Sequence, residues 1–354
     1  GLPAGKPYSV EFGLLATPMR PLAANHPFNT FNGNSKSAQL NRPYGRPVQD
    51  VVLMSYPGKG SGDLGSFFCD LDEPAFKVDR ENHLWVMDNH ARGARVRAVP
   101  YTCARFLSSF YPEVRAFLPE WTFSPECALD YSHTGHFLYE CCPKSSATEF
   151  FIWKYKTMLD LIPGMKGIYL DFGLIHECSN KEHGCHESMA ILAQREFYRR
   201  LAVAQIEKGI ADPVTVIHST DCVQPPAMTF VTHLFNGEHI RQMSSTILHD
   251  KKDILDTYGI EMFASELSTL PWGVENSYYM PYDTLLKKNG GDEPTDAYEF
   301  RMGMASIGAG LVHDTVQSLH RNHYGLFDKV MRILDGFGAG GRAKFVGYWR
   351  EPAK

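Results

Sequence analysis

Residues 166–187 read KGIYLDFGLIHECSNKEHGCHE, and they decide the fold class. The β-prone apolar run Ile168-Tyr169-Leu170 ends on an acid, Asp171. The loop behind it carries His176, Glu177, Cys178, Asn180, His183, Cys185, His186 and Glu187, all able to do chemistry. Apolar residues then recur at helical spacing from Ala190 to Ile206. A strand ending on an acid, a functional loop and a helix make one βα unit of an α/β enzyme. In a (β/α)8 barrel, catalytic residues sit at that carboxyl end of the strand.

The remaining sequence supplies further units. Strands are expected over 9–17, 50–56, 95–101, 167–172, 213–218, 227–234, 260–265 and 311–313. Helical spacing runs over 79–90, 147–161, 190–208, 247–257, 296–307 and 324–334. Eight strand candidates alternating with helices predict a (β/α)8 TIM barrel, with long loops after strands two, three, four and seven. The competing doubly wound sheet would need a GxGxxG-type turn after an early strand, and the sequence has none there. No repeat, low-complexity tract or linker divides the 354 residues, so residues 1–354 are expected to form one domain.

Composition excludes several function classes. Hydrophobic residues make up 44% and aromatics 12%, enough for a large core. The formal charge of -5 and the lack of a basic block argue against nucleic acid as a partner. No apolar run reaches the ~18–20 residues of a membrane span. The amino terminus lacks the charged and apolar regions of a signal peptide, so export would mean that a signal has been removed. The eight cysteines include no CxxC pair, which argues against a four-cysteine zinc ribbon. One or two disulfides, with Cys178–Cys185 the shortest closure, and free buried thiols both fit their number.

The expected strand ends are rich in polar groups: Asp171, then His218 to Asp221, His233 to Glu238, Ser265-Glu266 and His313-Asp314. A single acid after a strand can cap the next helix, but several at successive ends describe a cleft lined by carboxylates. Carboxylate pairs a few ångströms apart are what glycosidic cleavage uses. Trp121, Trp272, Tyr278 and Tyr279 offer aromatic faces of the kind that pack on sugar rings, although each could equally fill the top of a barrel. In the loop after strand four, His176, His183 and Cys185 are the expected metal set, though their spacing matches no usual zinc pattern. No cofactor is expected, beyond a structural zinc or calcium ion at such a loop. Nothing activates a cysteine as a nucleophile.

Four blocks together carry a resemblance: FGLLATPMRPL (12–22), GIYLDFGLIHECSNKEHGC (167–185), REFYRRL (195–201) and IHSTDCVQPPAMTFVTHLFNGEHI (217–240). The chain resembles, over about residues 9–348, a bacterial family of uncharacterised glycoside-hydrolase-like proteins. That family is related to glycoside hydrolase family 123, whose members are β-N-acetylgalactosaminidases. The resemblance implies a (β/α)8 catalytic barrel, a carbohydrate substrate and action outside the cytoplasm, extracellular or periplasmic. It departs from the family in one respect that bears on mechanism. Family 123 uses an adjacent Asp-Glu pair, and here the strand end reads Asp171-Phe172. Asp72-Glu73 has the right letters but falls in the second loop. Larger relatives also flank the barrel with β-sandwich domains.

By similarity to barrel glycosidases related to α-galactosidases, Asp171 and Glu238 are the expected working carboxylates. Asp171 would be nucleophile or charge stabiliser. Glu238 would be proton donor, its pKa raised by burial or by the neighbouring charge. Glu266 and Asp221 stand in reserve. His218, His233, Trp121, Trp272, Tyr278 and His313 are the expected substrate contacts, with His218 and His233 also able to orient an acid. The alternative is a non-catalytic carbohydrate-binding or structural protein on a degenerate barrel, and a third class is a metal-dependent hydrolase.

Overall fold

The computed structural model describes residues 12–22, the strand segments 30–32, 51–55 and 316–319, and, with short interruptions, residues 96–278 apart from 239–256, plus scattered single positions elsewhere. The elements in chain order begin with β1 (Thr30–Asn32), β2 (Val51–Ser55), β3 (Val96–Cys103) and β4 (Phe106–Ser108). Next come helix α1 (Pro112–Trp121), β5 (Ala128–Tyr131), β6 (His136–Glu140) and α2 (Ala147–Leu161). β7 (Gly167–Asp171), β8 (Glu177–Cys178), β9 (Ser188–Met189), α3 (Ile191–Glu207) and β10 (Val214–His218) follow. The chain continues through α4 (Pro225–Met228), β11 (His233–Asn236), α5 (Ile260–Met262), a π-helical turn (Phe263–Leu267), β12 (Glu275–Tyr278) and β13 (Val316–Leu319).

Eight of these strands are parallel and close on themselves in the order β1-β13-β12-β11-β10-β7-β3-β2. Parallel closure demands helical crossovers, because a hairpin can only reverse the chain. The α2 and α3 helices serve β7 and β10 in this way. Their apolar stripes bury Phe150, Phe151, Tyr155 and Met158 from α2 and Phe197, Tyr198 and Leu201 from α3. These side chains share one core cluster with Ile168 and Leu170 of β7, Ile217 of β10 and Leu234 of β11. Side chains alternate along a strand, so the other parity faces the barrel interior. That set is Tyr169 and Asp171, Val216 and His218, His233 and Phe235. Ring contacts among Tyr101, Tyr169, His218 and Phe235 agree with one packed interior.

The segment expected as a long loop after strand three folds on itself. Strands β4, β6 and β5 form an antiparallel sheet, and α1 packs beside it. Arg105 fastens this excursion to the loop after β7. Its guanidinium bridges Glu140 at 2.8 Å and donates to the Leu174 carbonyl.

Several expected boundaries need correction. Phe12 to Thr17 are irregular and exposed, and the first strand is Thr30–Asn32. Apolar letters alone suggested a strand there, but Phe12 and Leu14 are 83% and 96% exposed. The expected sixth strand begins too early. Pro225-Pro226 opens the short helix α4, a position where a missing N–H costs nothing, and the strand starts at His233. The expected seventh strand, 260–265, is helical, and the true one is the polar Glu275-Asn276-Ser277-Tyr278. The closing strand is Val316–Leu319. The expected strand 311–313 and helices 247–257, 296–307 and 324–334 lie largely or wholly outside the described residues, as does much of helix 79–90.

Candidate active site at the carboxyl ends of the central strands

Three consecutive parallel strands end together. Asp171 closes β7, His218 closes β10, and Glu238 stands two residues beyond the end of β11. The register β7–β10–β11 sets these ends at one level, and backbone hydrogen bonds tie them past the sheet. Gly173 N–H donates to the His218 carbonyl at 2.8 Å, and Ser219 N–H to that of Phe235 at 2.9 Å. Gly237 adopts φ 87° and turns the chain so that Glu238 reaches back over the barrel end.

The imidazole of His218 joins the two acids. Its Nδ1 lies 2.9 Å from Asp171 Oδ1, and its Nε2 lies 3.3 Å from Glu238 Oε2. Its Nδ1 hydrogen-bonds Asp171, and the contact with Glu238 is an ion-pair approach when the ring carries its second proton. The Asp171 side chain is 16% exposed and that of Glu238 27%, so Glu238 is the more accessible acid. Tyr101 of β3, level with Tyr169 and two residues short of Asp171, reaches along the barrel to donate its hydroxyl to Asp171 Oδ2. Phe172 N–H donates to Asp171 Oδ1 at 2.9 Å.

Two opposing effects act on the Asp171 carboxyl. Burial pushes its pKa up, while hydrogen bonds from His218, Tyr101 and the Phe172 amide, with the His218 charge, pull it down. The bonds prevail, and Asp171 is held below its ordinary value of 3.8. It is therefore a carboxylate at neutral pH. Phe172 holds φ 52°, a left-handed conformation uncommon for any residue but glycine. Such backbone costs on the order of 1 kcal/mol and persists only where the surroundings enforce it. Here Phe172 packs edge-on against Phe106 at 4.9 Å, under the Arg105 guanidinium.

Other expected site residues lie elsewhere. His233 opens β11, level with Val216 in mid-strand rather than with His218, and pairs with Glu275 at 3.1 Å. Trp272 precedes β12 and accepts the Met19 amide on its carbonyl at 2.8 Å, so it belongs to the amino end of the barrel. Glu266 sits in the π-helical turn before β12, and its carbonyl accepts from Asn276 Nδ2 at 2.8 Å. Trp121 ends α1 and is 4% exposed. It shares the buried helix face with Val114 one heptad earlier and donates its indole N–H to Ser146. These four therefore do not join Asp171 at the barrel mouth. Asp221, His313, His176, Tyr279 and the side chain of Tyr278 lie outside the described residues.

Three residues outside the expected set, Tyr101, Cys142 and Cys178, prove relevant. Tyr101 was legible as the last residue of an expected strand, but nothing in its neighbourhood marks a contact with an acid on the next strand. Cys142 comes together with Cys178, His183 and Cys185, their ligand atoms lying within 4.8 Å of one another. Among the described residues the cysteines are free buried thiols, the second of the two arrangements that their number allows.

No protein-family model and no curated sequence matches the chain. Solved structures do match in fold. The trehalose-6-phosphate hydrolase of Bacillus licheniformis aligns with TM-score 0.50 at 9% identity, over 89% of this chain and 70% of that one. The galactosidase domain of an α-galactosidase–sucrose kinase aligns at 0.47 and 10% identity, over 87% and 40% of the two chains. An α-N-acetylgalactosaminidase from Bifidobacterium bifidum aligns at 0.44 and 16% identity, over 79% and 45%. The chain spans 38% and 45% of the first solved structures it matches, less than half of each. The likeness at TM-score 0.50 is one of fold, an α/β architecture around a parallel sheet. Among the described residues, no helix is long and apolar enough to cross a membrane.

Proposed function

We propose that this chain is a glycoside hydrolase on a (β/α)8 barrel, acting on a glycan outside the cytoplasm with Asp171 and Glu238 as its carboxylates. One observation carries the reading. Two acids stand at the carboxyl ends of β7 and β11 and meet through the His218 ring at the end of β10 between them. That end of a barrel is where catalytic groups collect. The resemblance to the family 123-related proteins supports the same reading, with the whole of residues 1–354 as one domain.

The roles follow from environment. Asp171, ionised by its three hydrogen bonds, stabilises positive charge at the sugar carbon or directs the attacking water. Glu238, the more accessible acid, delivers the proton to the leaving oxygen. His218 holds both side chains in place and offers a path for proton exchange between them. With the ring between them, the acid oxygens are separated by contacts of 2.9 and 3.3 Å plus the ring width. The separation of the two carboxylates decides whether configuration is retained, at ~5–5.5 Å, or inverted, at ~6.5–9.5 Å. The adjacent-acid, substrate-assisted chemistry of family 123 is not part of the proposal, because Phe172 holds the second position.

The test is hydrolysis of aryl glycosides and polysaccharides by the parent, Asp171→Asn and Glu238→Gln, with folding checked by circular dichroism. Each variant is expected to lose about 10²–10⁴-fold in kcat. Product anomers read by NMR distinguish retention from inversion. Unchanged turnover in both variants would remove these residues from the mechanism. A second reading, a carbohydrate-binding barrel without catalysis, draws on the missing Asp-Glu pair. Sugar binding by the parent with no turnover of any substrate would favour it.

A further inference from the structure

The mouth of the barrel carries a second chemical cluster that the proposed hydrolysis does not use. Cys142 follows β6 and ends the excursion, while Cys178, His183 and Cys185 belong to the loop after β7. The three thiols are 0–1% exposed, in a small core with Phe123, Ile175 and Ala190. From this arrangement we propose that Cys142, Cys178, His183 and Cys185 form a structural zinc site that fastens the excursion to the loop following Asp171.

Distances, tautomer and chemistry agree. In a tetrahedron with Zn–S near 2.3 Å, two sulfurs stand about 3.8 Å apart. Cys142 Sγ and Cys185 Sγ lie 3.8 Å apart, far too long for a disulfide and right for a shared metal. Cys178 Sγ and His183 Nε2 lie 3.2 Å apart. The other nitrogen of His183, Nδ1, lies 2.5 Å from the Glu120 carbonyl, which can only accept. Nδ1 therefore carries the proton, and the Nε2 lone pair faces the three sulfurs. A backbone carbonyl behind a ligating histidine fixes tautomer and ring orientation in this way in metal sites.

The loop is built to hold these four groups with or without other function. Asn180 Nδ2 donates to the Pro119 and Thr122 carbonyls at 2.6 Å each, using acceptors that the end of α1 leaves over. Its Oδ1 accepts the Glu182 amide, and Cys185 N–H donates to the Asn180 carbonyl at 3.0 Å. Gly184 takes φ 76°, which a side chain would resist. Lys144 Nζ donates to the Gly184 carbonyl at 2.8 Å, setting a cation beside a site that three thiolates and Zn²⁺ would leave at net −1. Binding releases one proton from each of the three thiols and none from the neutral histidine. Soft sulfur donors select zinc and reject calcium, which takes oxygen ligands.

The test does not depend on any glycan. The full chain, purified under reduction and without chelator, is assayed for bound metal beside Cys185→Ser and His183→Cys. The parent and His183→Cys should each hold about one zinc per chain, a Cys₃His and a Cys₄ set, and Cys185→Ser much less. Exchange of zinc for Co²⁺ in the parent should give the intense absorption of a tetrahedral cobalt–thiolate site. If Cys185→Ser fails to fold, the parent and His183→Cys readings decide alone. A reduced parent that holds no zinc and gives no cobalt–thiolate band overturns the site, as does equal metal in all three chains. A Cys142–Cys185 disulfide found by mass spectrometry in the isolated protein overturns it too.

Discussion

At the scale of single residues, Asp171 is governed by what surrounds it more than by its own burial. Its neighbours donate to the charged form, and Tyr101 is the one that can be removed with least disturbance. A hydrogen bond to a charged group contributes about 1.5–3 kcal/mol. Tyr101→Phe should therefore raise the Asp171 pKa and move the acid limb of the pH–rate profile upward. An unmoved limb would mean that another group sets it. Stability follows the same sign. The folded pKa lies below the unfolded one, so this contribution is complete above the ordinary value of 3.8. It is lost as pH falls through the depressed folded value. Acid unfolding of Asp171→Asn should be less steep over that window than that of the parent. Asp171 itself was legible in the sequence, as an acid after an apolar run. Its partnership with Tyr101 was not, because the two meet only through strand pairing.

At the scale of elements, the helix and strand around the site were read well where their periodicity was strong. The expected helix 147–161 coincides with α2, and 190–208 with α3 to within a residue at each end. Their apolar faces must bury against the sheet, and that requirement is written in the spacing. The β7 to α3 connection depends on a close approach at Gly173. A Cβ there would stand 2.6 Å from the Ile217 Cβ, and the Gly173 carbonyl accepts from Tyr198 OH. Gly173→Ala should push β7 away from β10 and lengthen the Asp171–His218 contact. The expected result is a destabilisation of about 1–3 kcal/mol in denaturant titration, with a fall in kcat larger than any change in KM. Where periodicity was weak, reading failed. Glu275-Asn276-Ser277-Tyr278 has no apolar alternation, yet it is a strand because β11 pairs it on one side and β13 on the other. The misplaced sixth and seventh strands carried His233, Glu266 and Trp272 to the mouth in the sequence reading, and the structure returns them to the other parts of the barrel.

At the scale of the molecule, the two barrel ends do different work. The amino end is closed by the segment around Met19 and Arg20, which meets Gly273 and Thr229. Burial lowers the Arg20 pKa, and the charge of Glu275 works against that shift. Gly273 has φ 70°, and a Cβ there would lie 2.4 Å from the Arg20 carbonyl oxygen. Gly273→Ala should thus unseat this closure and cost about 1–3 kcal/mol, visible as a lower melting temperature with the mouth and its metal content intact. The carboxyl end collects the acids and the thiol cluster. The sequence by itself determined the α/β class, the core helices α2 and α3, and the places of Asp171, His218 and Glu238 near strand ends. Each of these rests on local propensity and periodicity, which a single segment contains. Tertiary structure alone decided that His218 stands between the two acids, that Tyr101 holds Asp171, and that Cys142 joins Cys178, His183 and Cys185. Those contacts join segments far apart in the chain. Only the closed register of parallel strands and the docking of the excursion bring them within bonding distance.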